Sequence, residues 1–131
     1  TKASEKKIWF DDQENKEKNI EKLFQKKEYQ ELTALYEKNP SAFYAPQSLL
    51  KTGISYFKLG SHEKSKHCFQ ILQEKFSGRE RESAYFALAL LALRDNDQNK
   101  ASRQLELLKK EFSESPLIEE LNRLMALKEN E

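Results

Sequence analysis

The chain has 131 residues, with 23 Lys and Arg against 22 Asp and Glu, and a formal net charge of +1. This length predicts one domain or one short repeat array, and the balanced charge excludes a general electrostatic attraction to nucleic acid or to an anionic membrane. The sequence contains no Val, and only five Ile and three Thr. Because sheets favour β-branched residues, this composition predicts an all-α protein.

The first ten residues, 1–10, are predicted to be a tail or a short extra helix. They include Ile8, Trp9 and Phe10, a bulky apolar cluster beside the polar stretch "DDQENKEKN". We expect this cluster to pack on the first helix pair or to dock in a groove, on this chain or on a neighbour. The chain begins at Thr1 rather than at Met, and we therefore expect that a leader or a lipid anchor has been removed.

Seven helices are predicted, near residues 11–26, 29–38, 46–59, 61–76, 79–94, 97–112 and 115–128. Glycines and prolines mark the boundaries: they are Pro40, Pro46, Gly60, Gly78 and Pro116. The sequence "SGRE" at 77–80 predicts a capping box, with Ser77 as the N-cap and Glu80 three residues later. Ser115 before Pro116 predicts a second N-cap, with proline at the first helical position.

The sequence repeats itself at an offset of about 36 residues. "LQEKFS" at 72–77 matches "LKKEFS" at 108–113, and the same offset pairs Gly53 with Ala89 and Gly60 with Asn96. Two helices and two turns fit this period, which predicts units at about 11–40, 46–77 and 79–113, followed by a capping helix at 115–128 with a polar outer face. Inside a helix, Gly53 costs roughly 1 kcal/mol relative to Ala, and a close helix crossing would explain its presence.

Residues 44–77, "YAPQSLLKTGISYFKLGSHEKSKHCFQILQEKFS", resemble a tetratricopeptide repeat (TPR). The resemblance covers about residues 16–128, clearly in the middle and weakly in the first unit, and it implies an antiparallel helix-pair α-solenoid that binds other proteins. The family pattern assigns nine residues to packing within and between the repeats: Gly53, Tyr56, Gly60, Ser65, Phe69, Tyr85, Ala89, Ala101 and Leu105. The chain departs from that pattern at Ala92, where an aromatic residue is common, and at Asn96, where Gly is.

The helix starts "YAPQSLL" and "EFSESPLIEEL" (111–121) are also similar to those of bacterial envelope repeat proteins of the BamD and CpoB type. Those families carry a "YP-x-S" turn, whereas the turns of this chain contain "FSG" and "FSES". This similarity implies a periplasmic or outer-membrane setting, while a cytoplasmic location stays open because such turns also occur in cytosolic repeat proteins. The longest apolar run, "AYFALALLAL", is shorter than the roughly 20 residues that span a bilayer.

The concave side of such an array is lined by the first helix of each pair. Given the repeat register, we expect a protein-binding groove lined by eight residues: Leu50, Ile54, Phe57, Lys58, Phe86, Leu90, Leu93 and Arg94. Six of these are large and apolar, and an exposed apolar stripe of this kind marks an interaction site. The alternative is that these residues belong to the core of the stack. Repeat clamps that bind a terminal carboxylate carry Lys, Asn and Arg at such places. This chain has Leu50, Ile54, Phe86 and Leu90 there instead, which argues against that ligand.

Both histidines and the only cysteine lie within "GSHEKSKHCF", residues 60–69. On a helix, His62 and His67 are about 500° apart, and Cys68 is rotated a further 100° or so. A zinc site needs four converging ligands, and a nucleophilic thiol needs a nearby base, so we predict no metal, no cofactor and no catalytic residue here. Motifs for nucleotide binding or hydrolysis are absent from the sequence, and we predict that the protein is not an enzyme.

The predicted function is therefore a non-catalytic scaffold or adaptor that binds a peptide or helix in an apolar groove, in an envelope assembly setting. A helical-repeat nucleic-acid binder is one alternative, although the expected groove has only Lys58 and Arg94 as cations. A metal or thiol protein built on His62, His67 and Cys68 is the other alternative. The sequence predicts neither the partner nor the oligomeric state.

Overall fold

The chain folds into seven α-helices in the residues that the structure, a computed structural model, describes: 2–40, 43 and 45–131, with side chains from Glu14 onward. The helices are α1 (Lys2–Gln25), α2 (Tyr29–Lys38), α3 (Pro46–Lys58), α4 (His62–Lys75), α5 (Arg79–Arg94), α6 (Gln98–Glu111) and α7 (Pro116–Glu129). The prediction of an all-α, TPR-like protein is confirmed. Contacts divide the chain into two compact units, Thr1–Ser65 and Lys66–Glu131.

The predicted helix positions agree with the structure to within about two residues, except at the start of α1. Helical backbone begins at Lys2, so the first residues of the chain are continuous with the helix that the sequence placed from residue 11. The predicted contacts of Ile8, Trp9 and Phe10 lie outside the described residues, because the side chains are described only from Glu14 onward.

In the first unit, α1, α2 and α3 enclose a small aromatic core. Ile20, Leu32 and Phe43 are at most 7% exposed, and the ring of Tyr36 packs edge-on against Phe43, with 5.3 Å between the ring centroids. Tyr36 also meets the ring of Tyr56 on α3 at 6.2 Å. These contacts join α2 to α3, so the weakly repetitive first part of the sequence forms a helix pair that packs on the next helix.

In the second unit, α5, α6 and α7 pack around small residues on α5. Ala89 and Ala101 are fully buried, which lets the backbones of α5 and α6 approach closely. From α7, Leu121 reaches the same core and is also fully buried. Arg81 on α5 joins this helix to α6 through two hydrogen bonds to the Glu111 carboxylate, at 2.8 and 3.0 Å.

Three helix-pair turns close in the same way. In the α3–α4 turn, Gly60 has φ 81°, and the amides of Gly60 and Ser61 donate to carbonyls in the last turn of α3 at 3.0 and 2.9 Å. The α1–α2 and α5–α6 turns repeat both bonds, with Lys27 and Asn96 each at φ 59°. This left-handed helix ending favours glycine. Lys27 and Asn96 adopt it at a steric cost, and nothing in the sequence around Lys27 predicted it.

Of the two predicted helix N-caps, one is confirmed and one is wrong. Ser115 caps α7 as predicted, because its hydroxyl accepts a hydrogen bond from the amide of Leu117 at 3.1 Å and Pro116 follows at the first helical position. The predicted capping box at 77–80 is wrong: α5 has Gly78 as its N-cap, at φ 76° and without a side-chain cap bond. This left-handed backbone places the helix start one residue later than the serine, so Ser77 cannot cap it.

Candidate functional site

The helix α3 carries an apolar stripe that is only half covered by the first unit. Leu50, Ile54 and Phe57, spaced four and three residues apart, are all partly exposed, and Lys58 beside them is exposed. The opposite face of α3 is buried and includes Leu49. An amphipathic helix that is buried on one face leaves the adjoining residues at the edge of the contact, and the α3 stripe (Leu50, Ile54 and Phe57) occupies this position.

Phe57 also contacts the start of the next helix. Its ring meets the imidazole of His62 edge-on, with 5.4 Å between centroids and 70° between planes. This contact covers part of the Phe57 ring, and the remainder of the ring is exposed. Phe57 is therefore placed to act both as a structural contact at the α3–α4 turn and as an accessible aromatic group.

In the second unit, the residues expected in the groove divide into two groups. Phe86 and Leu90 on α5 are partly exposed, although Phe86 also packs against the core, and Arg94 is exposed. Leu93 is only 6% exposed and belongs to the core that α5 forms with α6 and α7. Leu93 lies eight residues after Tyr85, on the same helix face, and it is thus a packing residue rather than a binding residue.

The residues that the family pattern assigned to packing in the first unit lie at the contact of α3 with α4. The hydroxyl of Ser65, which is fully buried, donates to the carbonyl of Gly53 at 2.7 Å, across the two helices. Tyr56 is 3% exposed and its hydroxyl donates to Glu37 of α2 at 2.9 Å. Gly60 is exposed in the turn, where its backbone conformation rather than its packing requires glycine.

The corresponding residues of the second unit are all buried. Tyr85 and Ala89 on α5, and Ala101 and Leu105 on α6, are between 0% and 6% exposed and share one core. Phe69 on α4 is 2% exposed. These side chains are therefore covered by the surrounding helices.

The Glu37 carboxylate links three helices of the first unit. It accepts hydrogen bonds from Lys64 at 2.6 Å and from the Tyr56 hydroxyl at 2.9 Å. These donors, Lys64 first, lower the pKa of Glu37 below its usual value. These hydrogen bonds therefore connect α2, α3 and α4.

The histidine and cysteine cluster does not converge. Cys68 is fully buried, His67 is exposed, and His62 is partly buried with an Nδ1 atom that has no hydrogen-bond partner in the described part of the chain. No group of three or more His, Cys, Asp or Glu side chains could hold a metal ion among the described residues. The three side chains point into different surroundings, as their helical spacing predicted.

Sequence analysis missed a cavity of about 400 Å³ in the first unit. It lies between α1 and α2 and is closed at one side by Phe43, and its lining consists of Lys16, Asn19, Ile20, Leu35, Lys38, Asn39 and Phe43. On each helix the lining residues are three and four positions apart, the spacing of a single helix face. This spacing is visible in the sequence, but only the register between α1 and α2 shows that the two faces meet.

Comparison with known proteins identifies one repeat in the chain. Residues 47–78, which cover α3 from its second residue, α4 and the turns that follow them, match the family model of the tetratricopeptide repeat. No curated protein and no solved structure matches the chain. In the part of the chain that the structure describes, no helix is long and apolar enough to cross a membrane. Tetratricopeptide repeats generally mediate protein–protein interactions and are typically not catalytic.

Proposed function

We propose that the protein is a non-catalytic scaffold that binds a peptide or helix of another protein through the apolar stripe of α3, with α5 contributing further contacts. The observation that supports this most directly is the half-covered α3 stripe within the stretch that matches the tetratricopeptide repeat. A stripe with apolar residues at positions i, i+4 and i+7 suits an amphipathic helix or an apolar peptide laid along it.

The binding residues proposed on α3 are Leu50, Ile54 and Phe57, with Lys58 at the edge. Phe57 is the proposed anchor, because aromatic groups tend to dominate interface energy. On α5, Phe86 and Leu90 are proposed to contact a partner, with Arg94 beside them. Charges at the edge of an interface change the association rate more than the affinity, so Lys58 and Arg94 would select partners with acidic flanks.

We further propose that the partner belongs to an assembly in the bacterial envelope. The support for this setting is the similarity of the helix starts "YAPQSLL" and "EFSESPLIEEL" to those of envelope repeat proteins. The full-length gene tests it, since a lipoprotein signal upstream of Thr1 would place the chain at a membrane surface.

Site-specific photo-crosslinking in the source cell tests the proposed binding face. A photoreactive phenylalanine analogue replaces Phe57 in one variant and the exposed Glu74 of α4 in the control variant. We expect a discrete protein adduct from position 57 and none from position 74. Adducts of nucleic acid, or equal yields at both positions, would contradict the proposal.

A further inference from the structure

We propose that a cleft between α4 and α6 binds an extended peptide segment of another protein, in which an acidic residue and an apolar residue stand two positions apart. This cleft is a second binding site, separate from the surface proposed for α3 and α5. Its position, an unpaired arginine and the spacing of residues along α6 support the proposal.

The cleft has a volume of about 340 Å³ and lies within the second unit. Its walls are formed by residues 66–73 of α4 and 100–107 of α6, and Leu88 and Ala92 of α5 lie at its floor. Leu88 follows Phe86 by two residues, which is about 200° around the helix. The cleft therefore lies on the opposite side of α5 from the residues proposed above to contact a partner.

The two walls of the cleft run side by side in the same direction. Lys66 lies 3.8 Å from Asp95, just before α6 begins, and two turns later the Gln73 amide donates to Gln104 at 3.2 Å. The lining covers seven residue steps on each helix, which is roughly 10.5 Å at 1.5 Å per residue. An extended chain advances about 3.3 Å per residue, so a segment of about three residues matches the length of the cleft.

One positive charge in the cleft is unpaired. Lys66 is paired with Asp95 at 3.8 Å. Lys100 is paired with Asp97 at 3.9 Å, so these four charges cancel. Arg103 is exposed and has no ion pair with any residue that the structure describes. A guanidinium group binds a carboxylate through two parallel hydrogen bonds, and one carboxylate balances the remaining charge.

The same charge balance disfavours a phosphate. A phosphoryl group carries a charge of about −1.5 to −2, which exceeds the single unpaired positive charge of Arg103. It would also lie near the carboxylates of Asp95 and Asp97, which line the cleft. The charges therefore favour the side chain of a glutamate or an aspartate over a phosphorylated residue.

The glutamines of the cleft supply groups that suit a peptide backbone. Gln73 and Gln104 bond to each other at 3.2 Å, which leaves one carboxamide oxygen and one NH2 group available. The side chain of Gln70 makes no hydrogen bond to any residue that the structure describes. A carboxamide has the donor and acceptor groups of a peptide bond, so these side chains can pair with the N–H and C=O groups of an extended segment.

Leu107 provides the apolar contact. It lies four residues after Arg103, one turn along the same face of α6, and is 36% exposed. The two residues are about 6 Å apart along the helix axis, and two residues of an extended chain span about 6.6 Å. Side chains two positions apart in an extended chain point the same way. An acidic residue opposite Arg103 therefore places an apolar residue, two positions away, against Leu107.

Titration of the whole chain with short peptides, followed by NMR, tests this proposal. The probes are the pentapeptides AEALA and ALAEA, acetylated and amidated at their ends, and their neutral counterparts AQALA and ALAQA. At millimolar concentration, we expect one acidic peptide to shift the side-chain amide signals of Gln70, Gln73 and Gln104, and its neutral counterpart to shift them far less. No shift with either acidic peptide, or equal shifts with the neutral counterpart, would overturn the proposal.

Two pairs of variants make the test specific to the cleft. Arg103→Gln should weaken binding of the acidic peptide at least about tenfold, whereas Arg79→Gln, which removes an equal charge from the exposed start of α5 outside the cleft, should not. Leu107→Ser should weaken it roughly threefold or more, whereas Leu127→Ser on α7, at a residue 54% exposed, should not. Thermal melting checks folding. Equal effects within either pair would contradict the proposal.

Two further measurements identify the kind of ligand and the place where it binds. A peptide with phosphoserine in place of glutamate should bind more weakly, because of the two nearby aspartates, and tighter binding would contradict the assignment to a carboxylate. Folded Phe57→Ser should bind the acidic peptide as the original chain does. Loss of binding in that variant would show that the peptide occupies the α3 stripe rather than the cleft.

Discussion

The buried hydrogen bond between α3 and α4 gives a stability prediction that can be worked out from the structure. Ser65 is fully buried and its hydroxyl donates to the Gly53 carbonyl at 2.7 Å. Removing a buried hydrogen bond costs about 1 kcal/mol, and alanine returns about 0.5 kcal/mol in helix propensity. We therefore expect Ser65→Ala to lower the free energy of unfolding by about 0.5–1 kcal/mol.

A second serine provides a matched control. Ser55 on α3 is also fully buried, but its hydroxyl donates to the carbonyl of Lys51 in its own helix at 2.7 Å. Such local bonds slightly destabilise helices, so Ser55→Ala should leave the free energy of unfolding unchanged or raise it by up to about 0.5 kcal/mol. The two alanine variants should then differ by about 1 kcal/mol, although both remove one buried hydroxyl.

A third variant, Ser65→Leu, tests how much space there is for a side chain where α3 crosses α4. Ser65→Leu adds bulk where the two backbones approach closely, and overpacking costs about 1–3 kcal/mol in addition to the lost hydrogen bond. Urea unfolding followed by circular dichroism measures all three variants, with a constant dependence on urea as the sign of an unchanged transition. Equal midpoints for Ser65→Ala and Ser55→Ala, or a Ser65→Leu variant as stable as the original chain, would refute the assigned crossing.

The remaining predictions concern turns, charge and capping. Asn96→Gly should raise the free energy of unfolding by about 0.5–1 kcal/mol, because glycine adopts the left-handed conformation without the penalty of about 1–2 kcal/mol that other residues carry. Gly60→Ala should lower the free energy of unfolding by a similar amount. Melting temperatures that move in the opposite directions would contradict both predictions. The pKa of Glu111 is lowered, chiefly by its hydrogen bond from Arg81, so its contribution to stability is present above the ordinary pKa of 4.5 and is lost as the pH falls through the lowered value. The unfolding midpoint should thus drop on acidification, and drop less in Glu111→Gln; parallel pH profiles would refute the assignment. Ser115→Ala should cost about 1 kcal/mol through loss of the α7 cap, measured by the urea midpoint against a neutral exposed substitution.

The sequence predicted the helices well because their boundaries carry local chemistry. Pro46 and Pro116 stand at the first positions of α3 and α7, and Gly60 supplies the left-handed turn after α3. Lys27 adopts the same turn without a glycine, so the local sequence carries no signal for it. The error at Gly78 had a different origin, since a serine, glycine and glutamate in order are compatible with two different helix starts.

Predicting the candidate binding residues required knowing which helix faces are covered by neighbouring helices. The helical spacing of Leu50, Ile54 and Phe57 predicted a shared face, but how far neighbouring helices cover that face is a matter of tertiary packing. Leu93 shows the limit, because it lies one turn after Ala89 on the packing face and was nevertheless expected in the groove. The cavity beside Leu35 depends on the register between α1 and α2, which local patterns in either helix do not specify.

Binding by the α3 stripe is the central proposal, and its most direct test is titration calorimetry with the partner identified by crosslinking. The informative variant is Ile54→Lys, which places a charge in the middle of the stripe, and the control is Leu59→Lys, because Leu59 is 40% exposed and lies off the stripe. With folding checked by thermal melting, we expect Ile54→Lys to weaken binding by at least about tenfold, or 1.4 kcal/mol, and Leu59→Lys to leave it unchanged. Unchanged affinity in folded Ile54→Lys would contradict a binding function of this face.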